Sequence, residues 1–186
     1  MQSVRPSLAP KSDMGRVTIL TGSRGIGKTT VCRETVRLAQ HRGHTCGGIL
    51  TLARPDARHV NDVRTGAVRR LTCEPHAPQV VVQGRFCFSL ETLRWANRAL
   101  SRSVPCDLLV VDEIGPLELE RNEGWTMAFD VLRGGGFELA LVVVRPELVA
   151  SAQLRLLGPA PSVVTVTRGN RNTLPGTLVS MLDRET

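Results

Sequence analysis

Gly22-Ser23-Arg24-Gly25-Ile26-Gly27-Lys28-Thr29 reads G-x-x-x-x-G-K-(S/T), and the residues on either side decide what the match means. Val17 to Thr21 is a short β-branched run suited to a buried strand. Thr30 to Gln40 carries Val31, Thr35, Leu38 and Ala39 at spacings of three and four, which suits an amphipathic helix. Strand, glycine loop and helix in that order are the setting of a phosphate-binding P-loop. The glycines let successive N–H groups turn inward around phosphate oxygens, and the helix start adds the positive end of its dipole. The nucleotide-binding residues expected here are Gly22, Ser23, Arg24, Gly25, Ile26, Gly27, Lys28, Thr29 and Thr30. Lys28 would reach the β- and γ-phosphates and serve the reaction, and the Thr29 hydroxyl would hold Mg²⁺. Composition sharpens the point: 22 of the 24 basic residues are Arg, so a Lys here marks a position that Arg does not serve.

Bulk properties narrow the class. A chain of 186 residues suits one domain with a real core, and 41% hydrophobic and 22% charged residues are ordinary for a globular protein. The net charge of +7 would admit an anionic partner, but the arginines are spread along the chain and Arg69-Arg70 is the single adjacent pair. With no Tyr, four Phe and two Trp there is little material for base stacking, so nucleic acid is the minority reading. Five cysteines without a C-x-x-C pair fit reduced thiols, and Cys73-Glu74-Pro75-His76 lacks a second ligand pair for zinc. His41 and His44 straddle a helix end at Gly43 and read as solvated capping residues. No apolar leader or run of membrane length occurs, which predicts a cytoplasmic protein. A monomer is the default expectation.

Residues 1–15 carry prolines and small residues without periodicity and read as a flexible tail; the folded domain is expected over 16–186. After the first helix, Thr45 to Thr51 reads as a strand. Arg54 to Cys73 is polar and broken, a hairpin or an irregular flap. Val80 to Val82 and Phe86 to Phe88 read as a hairpin around Gln83-Gly84-Arg85. Ser89 caps a helix to about Arg102 with Leu93, Ala96 and Leu100 on one face. Strands follow at Asp107 to Val111, Leu139 to Val144 and Val163 to Val166, the last also read as buried. Helices are expected from Asn122 as cap to Arg133, over Glu147 to Leu157, and from Pro175 to about Asp183. Apolar strands alternating with helices predict a single α/β domain of three layers, a mostly parallel sheet with helices on both faces.

Leu108-Leu109-Val110-Val111-Asp112-Glu113 is an apolar strand ending in two carboxylates. Ligands of open parallel sheets sit beyond the carboxyl ends of the strands, so Asp112 would arrive where Mg²⁺ must be held. Glu113 follows and can position or deprotonate a water at the γ-phosphate. Candidate cations for the transferring phosphoryl group are Arg145, Arg24 and, more weakly, Arg121, read chiefly as a solvated helix-end charge. Arg168, Asn170 and Arg171 follow the last strand at the same edge and are candidates for contacting the base.

Four stretches in order carry a resemblance: Gly22 to Thr30, Gln83 to Phe86, Val111-Asp112-Glu113-Ile114-Gly115-Pro116-Leu117-Glu118-Leu119, and Val166 to Pro175 with its Asn170-Arg171-Asn172 segment. Together they resemble the small nucleoside-triphosphatases first described from thermophiles, relatives of the vertebrate cancer-related nucleoside-triphosphatase, over about Arg16 to Leu182. The resemblance implies a RecA-like P-loop NTPase fold and Mg²⁺-dependent hydrolysis of the terminal phosphate, slow and with weak discrimination among ATP, GTP and other nucleoside triphosphates. It makes Lys28 and Thr29 the phosphate and metal contacts, Asp112 the metal-side acid and Glu113 the base. The chain departs from the family after the second strand. The family's Thr-x-Glu-x-x-Arg pattern loses its Glu in Thr51-Leu52-Ala53, and its Gly-x-Arg-x-Gly-Phe turn has only a loose echo in Val63 to Ala67. Any part those family residues play in closing over the nucleotide is not carried over. Rival readings are a nucleotide-dependent regulator or assembly factor that binds RNA or a protein, and a nucleotide or nucleoside kinase with Arg54 to Cys73 as its lid.

Overall fold

The computed structural model describes residues 15–74, 77–156 and 160–183. The expected tail, apart from Gly15, lies outside them, as does His76. In chain order the elements are β1 (Arg16–Thr21), α1 (Lys28–His41), β2 (Cys46–Ala53), β3 (Arg58–Asp62), β4 (Val68–Arg70), β5 (Val80–Gln83), β6 (Phe86–Ser89), α2 (Leu90–Ser101), β7 (Cys106–Ile114), α3 (Pro116–Glu120), α4 (Met127–Gly134), β8 (Phe137–Val144), α5 (Val149–Arg155, preceded by a 3₁₀ turn over Pro146–Leu148), β9 (Ser162–Thr165) and α6 (Leu174–Val179).

The apolar runs assemble into a seven-stranded sheet of order β4-β3-β2-β7-β8-β1-β9. From β2 to β9 neighbouring strands are parallel, with Leu20 opposite Val143 and Val111 opposite Val142 fixing the register at the site. Continuous apolar runs in β7 and β8 follow from burial on both faces. One core lies on the side of α2 and α4 and includes Leu93, Leu100, Phe129 and Leu132; the other lies beneath α1 and α6 and includes Val31, Ala39 and Leu178. α2 starts where the sequence places it: the Ser89 Oγ accepts the Thr92 N–H at 3.3 Å, and Leu93, Ala96 and Leu100 face the core. Among the described residues no helix is long and apolar enough to cross a membrane.

Several expectations need correcting. Of the two forms expected for Arg54 to Cys73, the hairpin is the one found: β3 pairs antiparallel with β2, and β4 with β3, so this stretch extends the main sheet. β9 is an edge strand and not a buried one, with Val163 42% exposed, because only β1 lies beside it. Asn122 does not cap a helix. Its φ is +52° and its Oδ1 accepts Arg155 Nη2 at 2.7 Å, while α4 begins only at Met127 and the unforeseen α3 intervenes. The helix expected over 147–157 is broken into the 3₁₀ turn and α5, and α6 ends at Val179, short of Asp183. His44 is no solvated cap, since its Nε2 lies 3.0 Å from Asp183 Oδ1 beside Arg42.

Candidate active site

The loop between β1 and α1 turns on glycines at positive φ. Gly22 sits at +134°, where a Cβ would stand 2.6 Å from the Val166 carbonyl, and Gly27 sits at +112° immediately before α1. The chain therefore bends tightly off β1 and delivers Lys28 and Thr29 to the first turn of α1. Lys28 Nζ donates to the carbonyls of Gly22 at 2.6 Å and Ser23 at 3.1 Å. The Ile26 side chain packs beneath the loop against the α1 core, Ser23 points to the surface and accepts the Ile26 N–H, and Arg24 is exposed.

β7 runs three residues past the strand predicted for it, so Asp112 and Glu113 belong to the strand itself, with a cis peptide between them. Asp112 is 1% exposed. Its Oδ2 accepts the Thr51 N–H at 3.1 Å, its carbonyl accepts the Thr51 hydroxyl at 2.5 Å, and the Thr29 hydroxyl hydrogen-bonds its carboxyl. Burial pushes the Asp112 carboxyl up to about 7, against the pull of Thr29 and Thr51. Glu113 is more open, and its Oε1 accepts Arg145 Nε at 2.6 Å. Arg145 directly follows β8, the strand that lies between β7 and β1, so it stands between the two halves of the site.

These groups open onto one cavity of about 700 Å³. Gly22, Arg24, Gly25, Gly27, Lys28, Thr29, Thr30, Asp112, Glu113 and Arg145 line it, as do Arg58 from β3 and Gln83, Gly84, Arg85, Phe86 and Phe88 from the β5–β6 hairpin. Arg58 is not among the candidates read from the sequence, and Arg85 enters there only within the Gln83 to Phe86 stretch. The Arg58 guanidinium lies 4.4 Å from the centre of the Phe86 ring and feels the charges of Glu113, Arg24, Arg145 and Arg85. An arginine beyond the second strand thus does reach the site, but it is Arg58, upstream of the echo at 63–67. Residue types alone offer no signal for this, because the chain has 22 arginines; the Gln83-Gly84-Arg85-Phe86 stretch was at least conspicuous.

Thr51 and Glu118 were also missed as supports. Glu118 is 3% exposed and bridges two backbone donors, Gly115 N–H to Oε2 and Trp125 N–H to Oε1, both at 2.8 Å. It ties the segment leaving Glu113 to the start of α4, and burial raises it to about 7. Arg121 reaches back to the Val82 carbonyl at 2.7 Å and to Glu123, fastening the hairpin instead of standing free in solvent.

The turn after β9 lies against the phosphate loop: Val166 N–H donates to the Thr21 carbonyl, and Arg171 Nη1 approaches the Ile26 carbonyl at 3.4 Å. Asn170 is spent on the turn itself. Its Oδ1 accepts the Thr167 N–H at 2.8 Å and its Nδ2 donates to the Thr165 carbonyl at 2.9 Å. Arg168 is exposed. None of Arg168, Asn170 and Arg171 lines the cavity around the phosphate loop.

The donor set suits a hard cation. A buried carboxylate hydrogen-bonded to a hydroxyl at the mouth of the phosphate loop offers oxygen donors of the kind Mg²⁺ prefers, with phosphate and water left to complete its shell. Among the described residues no group of three or more His, Cys, Asp and Glu side chains is placed to hold a metal alone. Among the described residues no disulfide joins Cys32, Cys46, Cys73, Cys87 or Cys106.

Residues 17–179 match the family model described as NTPase. The chain is 31% identical to the nucleoside-triphosphatase THEP1 of Methanosarcina acetivorans over 164 residues, which is 84% of this chain and 90% of that one. With the nucleoside-triphosphatase THEP1 of Thermococcus kodakarensis it shares 30% over 176 residues, 89% and 93% of the two chains. Two solved structures share the fold. A human cancer-related nucleoside triphosphatase has a TM-score of 0.69 at 23% identity, covering 92% of this chain and 100% of that one. THEP1 from the hyperthermophile Aquifex aeolicus has a TM-score of 0.67 at 16% identity, covering 90% and 99%.

Proposed function

The chain belongs to this nucleoside-triphosphatase family, and from that premise we propose that it hydrolyses nucleoside triphosphates to the diphosphate and phosphate with Mg²⁺, slowly and with broad base tolerance. The observation that carries the reading is the meeting of the Lys28–Thr29 turn with Asp112 and Glu113 at one cavity. Loop N–H groups and Lys28 take the phosphate oxygens, Lys28 leaving the Gly22 and Ser23 carbonyls to do so. Thr29 and Asp112 would hold Mg²⁺, which when bound neutralises charge on the β- and γ-oxygens. Glu113 orients a water against the γ-phosphorus and accepts its proton as the new P–O bond forms and the bond to the bridging oxygen breaks.

Slow turnover, in the range of about 10⁻³ to 1 s⁻¹ for unstimulated P-loop hydrolases, fits a site whose nearest strand-end arginine is engaged with the base. Base tolerance fits a turn after β9 in which the Asn170 amide is consumed locally. Guanidinium groups such as those of Arg168 and Arg171 stack on any base face. Cysteines outside any disulfide are in keeping with a reducing cytoplasm.

The test is phosphate release from ATP, GTP, CTP and UTP with Mg²⁺ or with EDTA, with nucleoside acceptors in parallel. Release from several triphosphates that needs Mg²⁺ and ignores the acceptor supports the proposal. Phosphate appearing only on an acceptor would establish a kinase instead. In either case Lys28→Ala should weaken triphosphate binding by at least about 100-fold, because it removes a charge-assisted contact inside a partly buried site.

A further inference from the structure

We propose that Arg145 is a two-position residue that exchanges the Glu113 carboxylate for the γ-phosphate of a bound nucleoside triphosphate, so that the base is released only when a triphosphate is present. This rests on the nucleotide site described above and adds its regulation. Arg145 leaves the end of β8, which pairs on one side with β1, the strand that feeds the phosphate loop, and on the other with β7, which carries Glu113. From that central position one guanidinium can address either partner. Its Nε is committed to Glu113 Oε1 at 2.6 Å, yet both side chains stay partly open to the cavity that Lys28 also lines, 42% exposed for Arg145 and 29% for Glu113. Lys28 shows the same disposition, its ammonium resting on loop carbonyls.

The exchange is favourable in charge. A triphosphate brings oxygens that present more negative charge than one carboxylate, and a guanidinium recognises phosphate in the same forked geometry. A diphosphate lacks the γ-group and would leave the Arg145–Glu113 pair in place. While paired, Glu113 has one oxygen occupied by a cation and is a poorer acceptor for a water proton; once Arg145 moves, the carboxylate is free and the guanidinium faces the transferring group. Arg145 therefore acts as a positioning residue for the base and as a reader of the γ-phosphate.

The experiment is equilibrium binding of ADP and of the β,γ-imido analogue of ATP, both with Mg²⁺, to wild type, Arg145→Ala, Glu113→Gln and the double variant. ADP affinity is the control for an intact loop. Arg145→Ala should weaken the analogue about tenfold and ADP hardly at all. Glu113→Gln should tighten the analogue at least about fivefold, by abolishing the competing pair. The sign of the coupling is decisive. If Arg145 leaves Glu113 for the phosphate, the gain from Glu113→Gln is larger with Arg145 present than in the Arg145→Ala background. If Arg145 stays on Glu113 and merely neutralises it, the gain is larger without Arg145, and the exchange is wrong. Arg145→Gln, which keeps the length of the side chain, replaces Arg145→Ala if that variant does not fold. Failure of wild type to bind either nucleotide would overturn the site itself along with this inference, whereas tight binding and turnover with the reverse coupling would overturn the inference alone.

Discussion

Glu118 and Asp112 are both buried carboxylates, and their neighbours give them different work. Asp112 faces Thr29 and the phosphate loop, while both Glu118 oxygens are taken by backbone N–H groups of its own connection. Burial raises Glu118 from 4.5 to about 7, so between those values the folded protein holds a proton that the unfolded chain has released. Its contribution to stability is therefore fully present below about pH 4.5 and is lost as pH rises through about 7. Glu118→Gln removes this dependence. Denaturant unfolding at intervals from pH 4.5 to 8 should show wild type losing ground to Glu118→Gln by up to about 3 kcal/mol across that window. A constant difference would show that Glu118 does not titrate there. Thr51 is the second supporting residue, because it donates to Asp112 through both its N–H and its hydroxyl. Thr51→Val keeps the shape and the N–H donor, and loses the bond to the Asp112 carbonyl. It should reduce triphosphate affinity about tenfold, measured by the same titration that reads the loop.

Local chemistry fixes some elements, and contacts distant in sequence fix others. α2 was legible because Ser89, Glu91 and the Leu93–Ala96–Leu100 face all agree, and its cap is a simple test: Ser89→Ala should cost about 1 kcal/mol in urea unfolding. The phosphate loop was legible for the same reason, since its glycines, lysine and flanking strand and helix lie within one short stretch. α3 and the late start of α4 were not. There the segment is held by Glu118 reaching across to Trp125 N–H, and Gly124 at φ +72° leaves room for that carboxylate, so no helical period announces it. β9 was overvalued because an apolar run reads alike at the edge and in the middle of a sheet. The β5–β6 hairpin carries Arg85 and Phe86 to the cavity and is fastened by Arg121 at the Val82 carbonyl. Arg121→Ala should speed amide exchange over residues 80–89 while changing global stability by less than about 1 kcal/mol, as expected for a partly exposed contact. Unchanged exchange would mean that β6 and the segment before it hold the hairpin unaided.

At the scale of the molecule, one sheet brings together groups spread over most of the chain. Lys28, Arg58, Arg85, Asp112–Glu113 and Arg145 meet at the carboxyl side of the parallel strands because β7 and β8 lie between β2 and β1. The part of the site carried by contiguous motifs could be read from the sequence: the phosphate loop and the Asp112–Glu113 pair. Of the part that depends on which strand neighbours which, Arg145 was legible as the residue after the strand beside β1, whereas Arg58 was overlooked and Arg121 misjudged. A ligand that spans these elements should stabilise the whole fold. At a free concentration of 100 Kd, Mg²⁺ with the β,γ-imido analogue should add about 2.7 kcal/mol to unfolding, read as a rise in Tm that Lys28→Ala abolishes. Whether Glu113 activates water for attack on the γ-phosphate is read by a single-turnover experiment with γ-labelled ATP and Mg²⁺, comparing wild type with Glu113→Gln. Glu113→Gln should bind ATP at least as tightly as wild type and release labelled phosphate at least about 100-fold more slowly. Release at the wild-type rate from the bound variant would contradict it, leaving Glu113 as a partner of Arg145 without a part in the chemistry.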